Sequence, residues 1–317
     1  MALLVVAIAL LALAAIGLEV YEHYAGENPL LDTIYDLRLR ALSIGALDRR
    51  NLANPRRVDA VVTLTTLPSR IARLEPTIKS LLNQTVRPAA IRVNLPAMSR
   101  REQRPYVVPG WLAGLQSVTV VRCEDFGPAT KLLPTLSDWP PDRAIVVVDD
   151  DRIYHRHFHA QLVAASERRP DAAIVSSGWD APADFVDRPS TLIATLAGRA
   201  PVPIKCTRVR GERAADIMQG FSGYLVKSRF FDGATIGDYR GAPPEAFFVD
   251  DVWISAHCRA PKLIVHGRRT NFQSSFATRF YQSTGLGRVN RGDGTDEGRH
   301  NTIMLQYFKD RWKASCR

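Results

Sequence analysis

The first 18 residues of the chain carry no polar side chain. As an α-helix this stretch would be about 27 Å long, close to the ~30 Å hydrocarbon core of a bilayer. It contains no Lys or Arg and continues directly into Glu19, Tyr21 and Glu22, whereas a cleaved signal peptide has a basic start and a small-residue cleavage site. The pattern predicts an uncleaved single-pass membrane anchor over residues 1–18. An Ala-rich signal peptide is the alternative.

Residues 19–57 are predicted to be a juxtamembrane amphipathic linker. Apolar and basic residues alternate at roughly helical spacing between Leu30 and Leu47. Such a segment could lie on an anionic membrane surface, or it could pack against the main domain as a linker helix. Basic residues follow the anchor and none precedes it, which by the positive-inside rule predicts a cytoplasmic main domain. These residues are Arg38, Arg40, Arg49, Arg50, Arg56 and Arg57.

Residues 58–312 are predicted to form one α/β domain. Short, apolar, β-branched runs indicate strands at 58–64, 90–95, 117–122, 144–148 and 172–176. Segments with apolar residues at helical spacing alternate with them, at 71–83, 129–136 and 158–168. This alternation is typical of a Rossmann-like, mostly parallel central sheet with helices on both faces.

The composition excludes several classes of protein. With 46% hydrophobic and 23% charged residues among 317, the chain resembles a globular protein rather than a disordered, collagen-like or polytopic membrane protein. The net charge of +10 favours a polyanionic partner, such as nucleic acid, anionic lipid or a phosphorylated substrate. The four cysteines are far apart and form no Cys-x-x-Cys pair, which argues against a zinc ribbon or a disulfide scaffold.

Three consecutive carboxylates, Asp149, Asp150 and Asp151, directly follow the most apolar predicted strand. Ligands of open α/β sheets bind at the carboxyl ends of strands. Three adjacent carboxylates at a buried strand end would repel one another without a cation. Oxygen ligands suit Mg²⁺ or Mn²⁺, which also bind diphosphates. The run therefore predicts a divalent-metal site, with a solvated acidic turn as the alternative.

Two other segments are candidates for binding phosphate or nucleoside. Residues 124–131 follow the third predicted strand and open a helix, where a Gly-Pro turn would expose backbone N–H groups to an anion and Lys131 would add a positive charge. Thr65 and Arg70 follow the first strand at the same predicted sheet edge. They could hold a nucleobase or ribose, or cap the next helix.

A second acidic pair, Asp250 and Asp251, lies between apolar flanks. Such surroundings raise a carboxylate's pKa and suit a general base, although two acids at a helix N-terminus are the alternative. A two-glycine turn with Gly223 precedes a further strand, and it could bring the backbone close to a ligand or be an ordinary turn. The chain lacks the P-loop, Gly-x-Gly-x-x-Gly and Gly-x-Ser-x-Gly motifs, so ATPase, dehydrogenase and α/β-hydrolase assignments lose their usual support.

Taken together, six sequence blocks resemble nucleotide-sugar glycosyltransferases of the GT-A fold, of the bacterial family 2-like or exostosin-like type. The resemblance extends from about residue 58 to about residue 308. The blocks are VVTLTTLPSRI, TIKSLLNQT with RPAAIRVNLP, EDFGPATKLLP, VVVDDD, QGFSGYLV and FFVDDVWIS.

The resemblance implies roles for individual residues at the donor site. Asp149 would contact the ribose or support its loop, Asp150 would lie near the donor sugar, and Asp151 would ligate Mn²⁺ or Mg²⁺ bridging the donor diphosphate. The nucleotide pocket would be lined by Thr65, Arg70 and Lys131, and the sugar pocket would be shaped by Gly223 and its neighbours.

At the acceptor side, the resemblance implies that Asp251, with Asp250 beside it, binds the acceptor hydroxyl or removes its proton. It also implies a late histidine on the metal or the diphosphate. His300 is the candidate and His266 the rival. Residues 285–299, rich in Gly and Arg, are predicted to form a mobile basic lid or an ordinary loop.

These expectations describe a membrane-attached, metal-dependent hexosyl- or N-acetylhexosaminyltransferase. It would move a sugar from a nucleoside-diphosphate sugar to a glycan or lipid-linked acceptor hydroxyl, in envelope or capsular glycan synthesis, with inversion or retention. Two alternatives use the same residues differently. One is a metal-dependent nucleotidyltransferase or phosphatase. The other, disfavoured by scattered basic residues, is a membrane-tethered nucleic-acid-binding protein.

Overall fold

A computed structural model of the chain describes residues 1–312. The helices are α1 (Ala2–Ala25), α2 (Pro29–Ala41), α3 (Ile44–Leu52), α4 (Glu75–Leu82), α5 (Gly110–Ala113), α6 (Leu133–Asp138), α7 (Phe158–Arg168), α8 (Leu192–Ala197), α9 (Gly233–Ile236), α10 (Asp250–His257), α11 (Thr278–Thr284), α12 (Leu286–Val289), α13 (His300–Tyr307) and α14 (Lys309–Trp312). Short 3₁₀-helices include Ile71–Arg73, Gly127–Lys131 and Gly220–Ser222.

The strands form one large sheet and three small ones. They are β1 (Arg57–Leu64), β2 (Arg87–Pro96), β3 (Met98–Ser99), β4 (Arg104–Pro105), β5 (Val118–Cys123), β6 (Ala144–Val147), β7 (Ile153–Tyr154), β8 (Ala173–Val175), β9 (Ser177–Trp179), β10 (Ile204–Lys205), β11 (Glu212–Ala214), β12 (Ile217–Met218), β13 (Tyr224–Lys227), β14 (Lys262–Val265) and β15 (Asn271–Phe272).

The central sheet has eight strands in the order β11-β14-β8-β13-β6-β1-β2-β5. Strands β5, β2, β1 and β6 run parallel to one another, and β8 and β14 are parallel to each other. Strand β13 is antiparallel to both of its neighbours, and β11 is antiparallel to β14 at the edge. The predicted mostly parallel α/β sheet behind one apolar N-terminal helix is therefore confirmed, and the carboxyl ends of β1 and β6 lie side by side.

Alternating residues of the central strands enter two hydrophobic layers, one on each face of the sheet. On β6, Ile145 and Val147 belong to one layer, and Val146 with the following Val148 belongs to the other. This is the period-2 pattern of a strand, with both faces covered. Because both faces of β6 are buried, its residues form a continuous apolar run, and this run is what predicted the strand.

Two predicted helices are each split into two shorter elements. Residues 71–83 form a 3₁₀-helix and then α4, and residues 129–136 are divided between the 3₁₀-helix Gly127–Lys131 and α6. Pro76 and Pro134 lie in the first turns of α4 and α6. Proline has no N–H and tolerates only the first turn of a helix, so each proline begins a new helix instead of continuing the previous one.

Helix α1 is long and apolar enough to cross a membrane, and none of its residues is buried. A signal sequence would have the same properties. The helix continues beyond Leu18 to Ala25, and its last turn contacts the main domain. Thr207 Oγ1 donates to the carbonyl of His23 at 2.9 Å, and the Arg208 guanidinium lies 4.6 Å from the centre of the Tyr24 ring.

Candidate active site

A cavity of about 460 Å³ opens at the carboxyl ends of β1 and β6. It is lined by segments that are far apart in sequence, from the end of β1 to the start of α13. The structure brings most of the sequence-predicted site residues to this one cleft. They are Thr65, Arg70, Lys131, Asp149, Asp150, Asp151, Asp250 and Asp251.

Lys131 lies at the centre of the acidic cluster. Its Nζ atom is 2.6 Å from Asp149 Oδ1 and 2.7 Å from Asp250 Oδ2, and Asp251 Oδ1 lies at 4.0 Å. Burial alone would lower the pKa of Lys131, but Asp149 and Asp250 raise it well above its usual value. One buried ammonium group thus joins the end of β6 to the start of α10.

Gly220 gives Lys131 the space it occupies. A Cβ at position 220 would lie 2.0 Å from Lys131 Nζ and 3.0 Å from Asp149 Oδ1. The backbone N–H of Gly220 also donates to Asp251 Oδ1 at 2.9 Å. The glycine therefore permits the Lys131–Asp149 contact and orients Asp251.

Asp251 has the chemistry of a general base. Burial, followed by the neighbouring Asp250 carboxylate, raises its pKa to about 8, although Lys131 acts in the opposite direction. Its side chain is still 31% exposed on the cleft. A carboxylate whose pKa lies near neutrality accepts a proton more effectively than one at its ordinary value.

Both the carboxylate and the backbone carbonyl of Asp150 accept hydrogen bonds from neighbouring side chains. Thr66 Oγ1 donates to Oδ2 at 2.6 Å and Arg70 Nη1 to Oδ1 at 3.0 Å. The hydroxyl of Thr77 donates to the Asp150 carbonyl at 2.9 Å. Both carboxylate oxygens are thus engaged, and the residue fixes the turn after β6.

Asp151 makes weaker contacts than its two neighbours. Gln273 Nε2 lies 3.5 Å from Oδ2, and Arg152 Nε lies 3.9 Å from Oδ1. Burial raises the pKa of Asp151 to about 6, with Arg152 acting in the opposite direction and Asp150 adding to the increase. Among residues 1–312, Asp151 therefore has no close basic partner, whereas Asp149 and Asp150 are each paired with one, and its oxygens retain acceptor capacity.

These residues could hold a divalent cation in one way, namely together with a bound diphosphate. Within residues 1–312, no group of three His, Cys, Asp or Glu side chains is placed to hold a metal ion. Asp149 is paired with Lys131 and Asp150 with Arg70. Mg²⁺ is commonly held by one or two carboxylates together with substrate phosphates. The residues fit a cation that Asp151 would share with a bound diphosphate, but not a preformed protein cage.

One wall of the cleft joins the segment after β1 to helix α11. Thr65 Oγ1 donates to the Asn94 carbonyl at 2.8 Å. Arg70 Nε donates to Thr284 Oγ1 at 3.0 Å, and Arg101 Nη2 donates to the Thr284 carbonyl at 2.7 Å. Within the predicted lid, residues 285–299, the structure places helix α12, and the cleft is lined there by Gly285, Leu286, Gly287, Asn290 and Arg299.

Three predicted site residues are not among those that line the cleft in the described part of the chain. Gly223 has φ +79°, and a Cβ there would lie 2.3 Å from the Phe158 ring, so its described role is in the fold. His300 begins α13 with its ring centre 6.3 Å from that of Phe248. His266 follows β14 and places Nδ1 2.7 Å from the Val209 carbonyl.

Sequence reasoning missed a second polar group that lines the cleft. Asp187, 5% exposed, pairs with Arg299 Nε at 2.7 Å and accepts from Asn301 Nδ2 at 3.3 Å. All three residues line the cleft. Asp187 is more than a hundred positions from Arg299 and Asn301, which lie at the start of α13, so no local pattern in the sequence connects them.

Comparison of the sequence with models of known protein families gives no match, and neither does comparison with curated proteins. Among solved structures, the chain is similar to a crystal structure of S. aureus TarS 1-349, with 11% identity, a TM-score of 0.37, and 82% of this chain and 73% of that chain covered. It is also similar to a crystal structure of GalNAc-T7 with UDP, GalNAc and Mn²⁺, with 14% identity and a TM-score of 0.40. That match covers 66% of this chain and 42% of GalNAc-T7. At these scores the functional argument rests on the site itself.

Proposed function

We propose that the chain is a glycosyltransferase that moves a sugar from a nucleoside-diphosphate sugar to an acceptor hydroxyl. The observation that carries this proposal is the convergence of two acidic segments on one cleft at the carboxyl ends of β1 and β6. One segment supplies Asp151, which has acceptor capacity left for a cation, and the other supplies Asp251, whose raised pKa suits proton removal. The sequence blocks that resemble GT-A enzymes contain both segments.

The cleft offers suitable groups for a donor diphosphate. Arg101 Nη2 donates to a neutral carbonyl, so its positive charge remains for a phosphate. Asp151 would hold the divalent cation together with the diphosphate. When bound, the cation would neutralise charge on the departing diphosphate. Arg70 and Lys131 keep the adjacent carboxylates in place through their ion pairs.

Asp251 would act on the acceptor. In the inverting reaction, the acceptor oxygen bonds to the anomeric carbon as the bond from that carbon to the phosphate oxygen breaks. The acceptor's proton passes to Asp251, and the electron pair of the broken bond leaves with the nucleoside diphosphate. Gly220 N–H and Lys131 hold the carboxylate in position for this transfer.

The decisive experiment compares Asp251→Asn with the unchanged enzyme on a panel of UDP- and GDP-sugars with Mn²⁺ or Mg²⁺. We expect the enzyme to release nucleoside diphosphate, and the variant to lose about 10²- to 10⁴-fold in kcat with donor affinity kept within a few-fold. Asp238→Asn, at an exposed ion pair with Arg240, is the matched control. Release of pyrophosphate or inorganic phosphate would instead identify a phosphoryl-transfer enzyme, and an active Asp251→Asn would remove the proposed base.

The cellular setting is a further part of the proposal. Helix α1 would anchor the chain, and the arginines that follow it would keep the domain on the cytoplasmic side. The acceptor would then be an envelope or capsular glycan or its lipid-linked precursor, and the donor a hexosyl or N-acetylhexosaminyl nucleotide. Protease digestion of inside-out and right-side-out membrane vesicles tests the orientation, because only inside-out vesicles should lose the domain.

A further inference from the structure

Helix α2 turns two carboxylates toward the domain and several large apolar side chains away from it, unlike a typical helix on the surface of a soluble protein. Its buried side carries Leu39, which is 1% exposed, together with Asp32 and Asp36, which are 4% and 1% exposed. A surface helix normally turns its apolar stripe to the core and its polar face to water. Here four large apolar side chains are 37–56% exposed on the outer side, namely Leu30, Leu31, Ile34 and Leu37.

Polar contacts with the domain fix α2 in this orientation. Asp32 Oδ1 lies 2.7 Å from Arg269 Nη1 and 3.0 Å from His155 Nε2. Asp36 accepts from Ser274 Oγ at 2.5 Å, and its ion pair with Arg40 Nε at 2.8 Å lies within α2 itself. Rolling the helix would separate Asp32 from Arg269 and Asp36 from Ser274, so the apolar face stays outward.

Helix α8 exposes a second apolar group. Leu192 and Ile193 are each 74% exposed and Leu196 is 49% exposed. Its carbonyls contact Arg208, whose Nη1 donates to Thr195 O at 2.8 Å and whose Nη2 donates to Leu196 O at 3.2 Å.

The same Arg208 guanidinium lies 4.6 Å from the centre of the Tyr24 ring in the last turn of α1. Helix α8 and the end of α1 therefore flank one side chain. Helix α2 begins at Pro29, directly after the short turn that follows α1. The apolar faces of α2 and α8 are thus both next to the domain end of a helix long enough to cross a bilayer.

We propose that these exposed faces of α2 and α8 are one lipid-contacting surface, and that its partner is the phospholipid bilayer that α1 enters. The continuity of this surface with α1 argues for lipid, because a bilayer entered by α1 would lie against the elements around the end of that helix. Exposed arginines at Arg38 on α2 and Arg199 after α8 suit anionic headgroups. The acidic pairs beneath α2 let the helix present leucines to lipid while it remains attached to the domain.

The surface is connected to the cleft through the loop that carries α8. Pro189 and Ser190 before α8, and Pro201 and Pro203 after it, line the cavity. If the apolar face of α8 contacts the bilayer, the loop residues on either side of α8 that line the cleft would lie close to the lipid. Access of a lipid-borne acceptor along this loop is a consequence that rests on the proposed glycosyl transfer, whereas the lipid contact itself does not.

The test uses the full chain reconstituted in vesicles of phosphatidylcholine and phosphatidylglycerol at 7:3. A photoreactive benzoylphenylalanine is placed at Leu37, at Ile193, or at Asp142 as the control. Asp142 has an 82% exposed side chain and precedes β6, at the end of that strand opposite the cleft. All three positions are exposed, so the variants should keep the melting temperature of the unchanged chain.

We expect phospholipid adducts at Leu37 and Ile193 after illumination, and only background at Asp142. Absence of lipid adducts at the first two positions, or crosslinks there to a second copy of the chain, would overturn the proposal. Equal labelling at Asp142 would also overturn it, because the contact would then not be confined to this surface. No sugar transfer is measured, so the outcome is independent of whether the chain proves to be a glycosyltransferase.

Discussion

Lys131 shows how one side chain can decide the chemistry of a whole cluster. Its ammonium is in contact with carboxylates from two segments, and it is 5% exposed. Without it, Asp149, Asp250 and Asp251 would face one another with no compensating charge. Removing one partner of a buried ion pair is costly because the other charge stays buried. In the proposed reaction, Lys131 is thus a positioning residue for the carboxylates on both the donor side and the acceptor side of the cleft.

Replacing this residue, Lys131→Met, keeps most of the side-chain volume and removes the charge. We expect the free energy of unfolding at pH 8 to fall by about 3 kcal/mol, because the buried Asp250 and the partly exposed Asp149 lose their partner. The loss should be smaller at pH 5, where Asp251, whose pKa is raised to about 8, is protonated and adds no negative charge to the cluster. Urea unfolding at the two pH values measures both effects. Lys227→Met, at a lysine that donates to the Pro170 carbonyl, should change stability by less than about 0.5 kcal/mol. A Lys131→Met protein as stable as the unchanged one at pH 8 would contradict this account.

Asp151 differs from Asp149 and Asp150 because the nearest polar atoms of Gln273 and Arg152 lie 3.5 and 3.9 Å from its carboxylate oxygens. We expect Asp151→Asn to leave the fold intact and to abolish the increase in donor affinity that Mn²⁺ provides, since an amide is a poor substitute for a carboxylate as a ligand of a hard cation. Thermal shift with a nucleotide sugar, with and without Mn²⁺, measures this coupling through ligand-dependent stabilisation. Asp142→Asn is the control, because its side chain is exposed at the amino end of β6. A metal-dependent shift that survives in Asp151→Asn would exclude Asp151 as the ligand.

At the scale of helices and strands, the sequence correctly predicted those elements whose formation depends on a local hydrophobic pattern. The five predicted strands correspond to β1, β2, β5, β6 and β8, to within a few residues, whereas the two-residue strands β3, β4 and β7 were not predicted. The helix Phe158–Arg168 was predicted with its observed bounds. Each of these elements has its hydrophobic period within itself, so neighbouring residues are enough to identify it.

Elements whose orientation depends on distant partners could not be predicted in the same way. The alternation in residues 30–47 indicated an amphipathic segment, but it did not reveal that the acidic side of α2 is the buried one. That outcome depends on Arg269, His155 and Ser274, which follow α2 by more than a hundred positions. The pairing of Asp187 with Arg299 is hidden from the sequence for the same reason.

The candidate site likewise combines features that a local pattern predicts with features that depend on distant residues. The carboxyl ends of β1 and β6 could be placed from the sequence, because parallel neighbours end at the same edge of a sheet. The expectation of a late histidine at His300 or His266 rests on the resemblance to GT-A glycosyltransferases and on no local pattern. In the structure His300 is close to the Phe248 ring and His266 to the Val209 carbonyl, and neither is among the residues that line the cleft.

At the scale of the whole molecule, the proposed role of Asp251 as a general base would give activity and stability opposite dependences on pH. Its pKa is raised to about 8 in the folded chain, against an ordinary value of 3.8. Between these values the folded state keeps a proton that the unfolded state releases, so stability falls as pH rises through this range. A general base must be ionised, so activity should rise over the same range. The burial that prepares Asp251 for proton removal therefore costs stability at the pH where the enzyme would be most active.

The pH profile of the free enzyme tests this opposition. We expect kcat/KM for nucleoside-diphosphate release to rise about tenfold per pH unit below 8 and to level off above it. Over pH 5–8, the free energy of unfolding should fall relative to Asp251→Asn by at most about 1.4 kcal/mol per pH unit. Comparing the two proteins separates the effect of Asp251 from that of other titrating groups. One such group is Lys205, because burial lowers its pKa to about 7 and the stability it contributes therefore rises above that pH. Urea unfolding across this range provides the stability curves. If the curves of the two proteins run parallel and kcat/KM is flat between pH 6 and 8, Asp251 is already ionised at neutral pH and its carboxylate is not the group that limits the reaction.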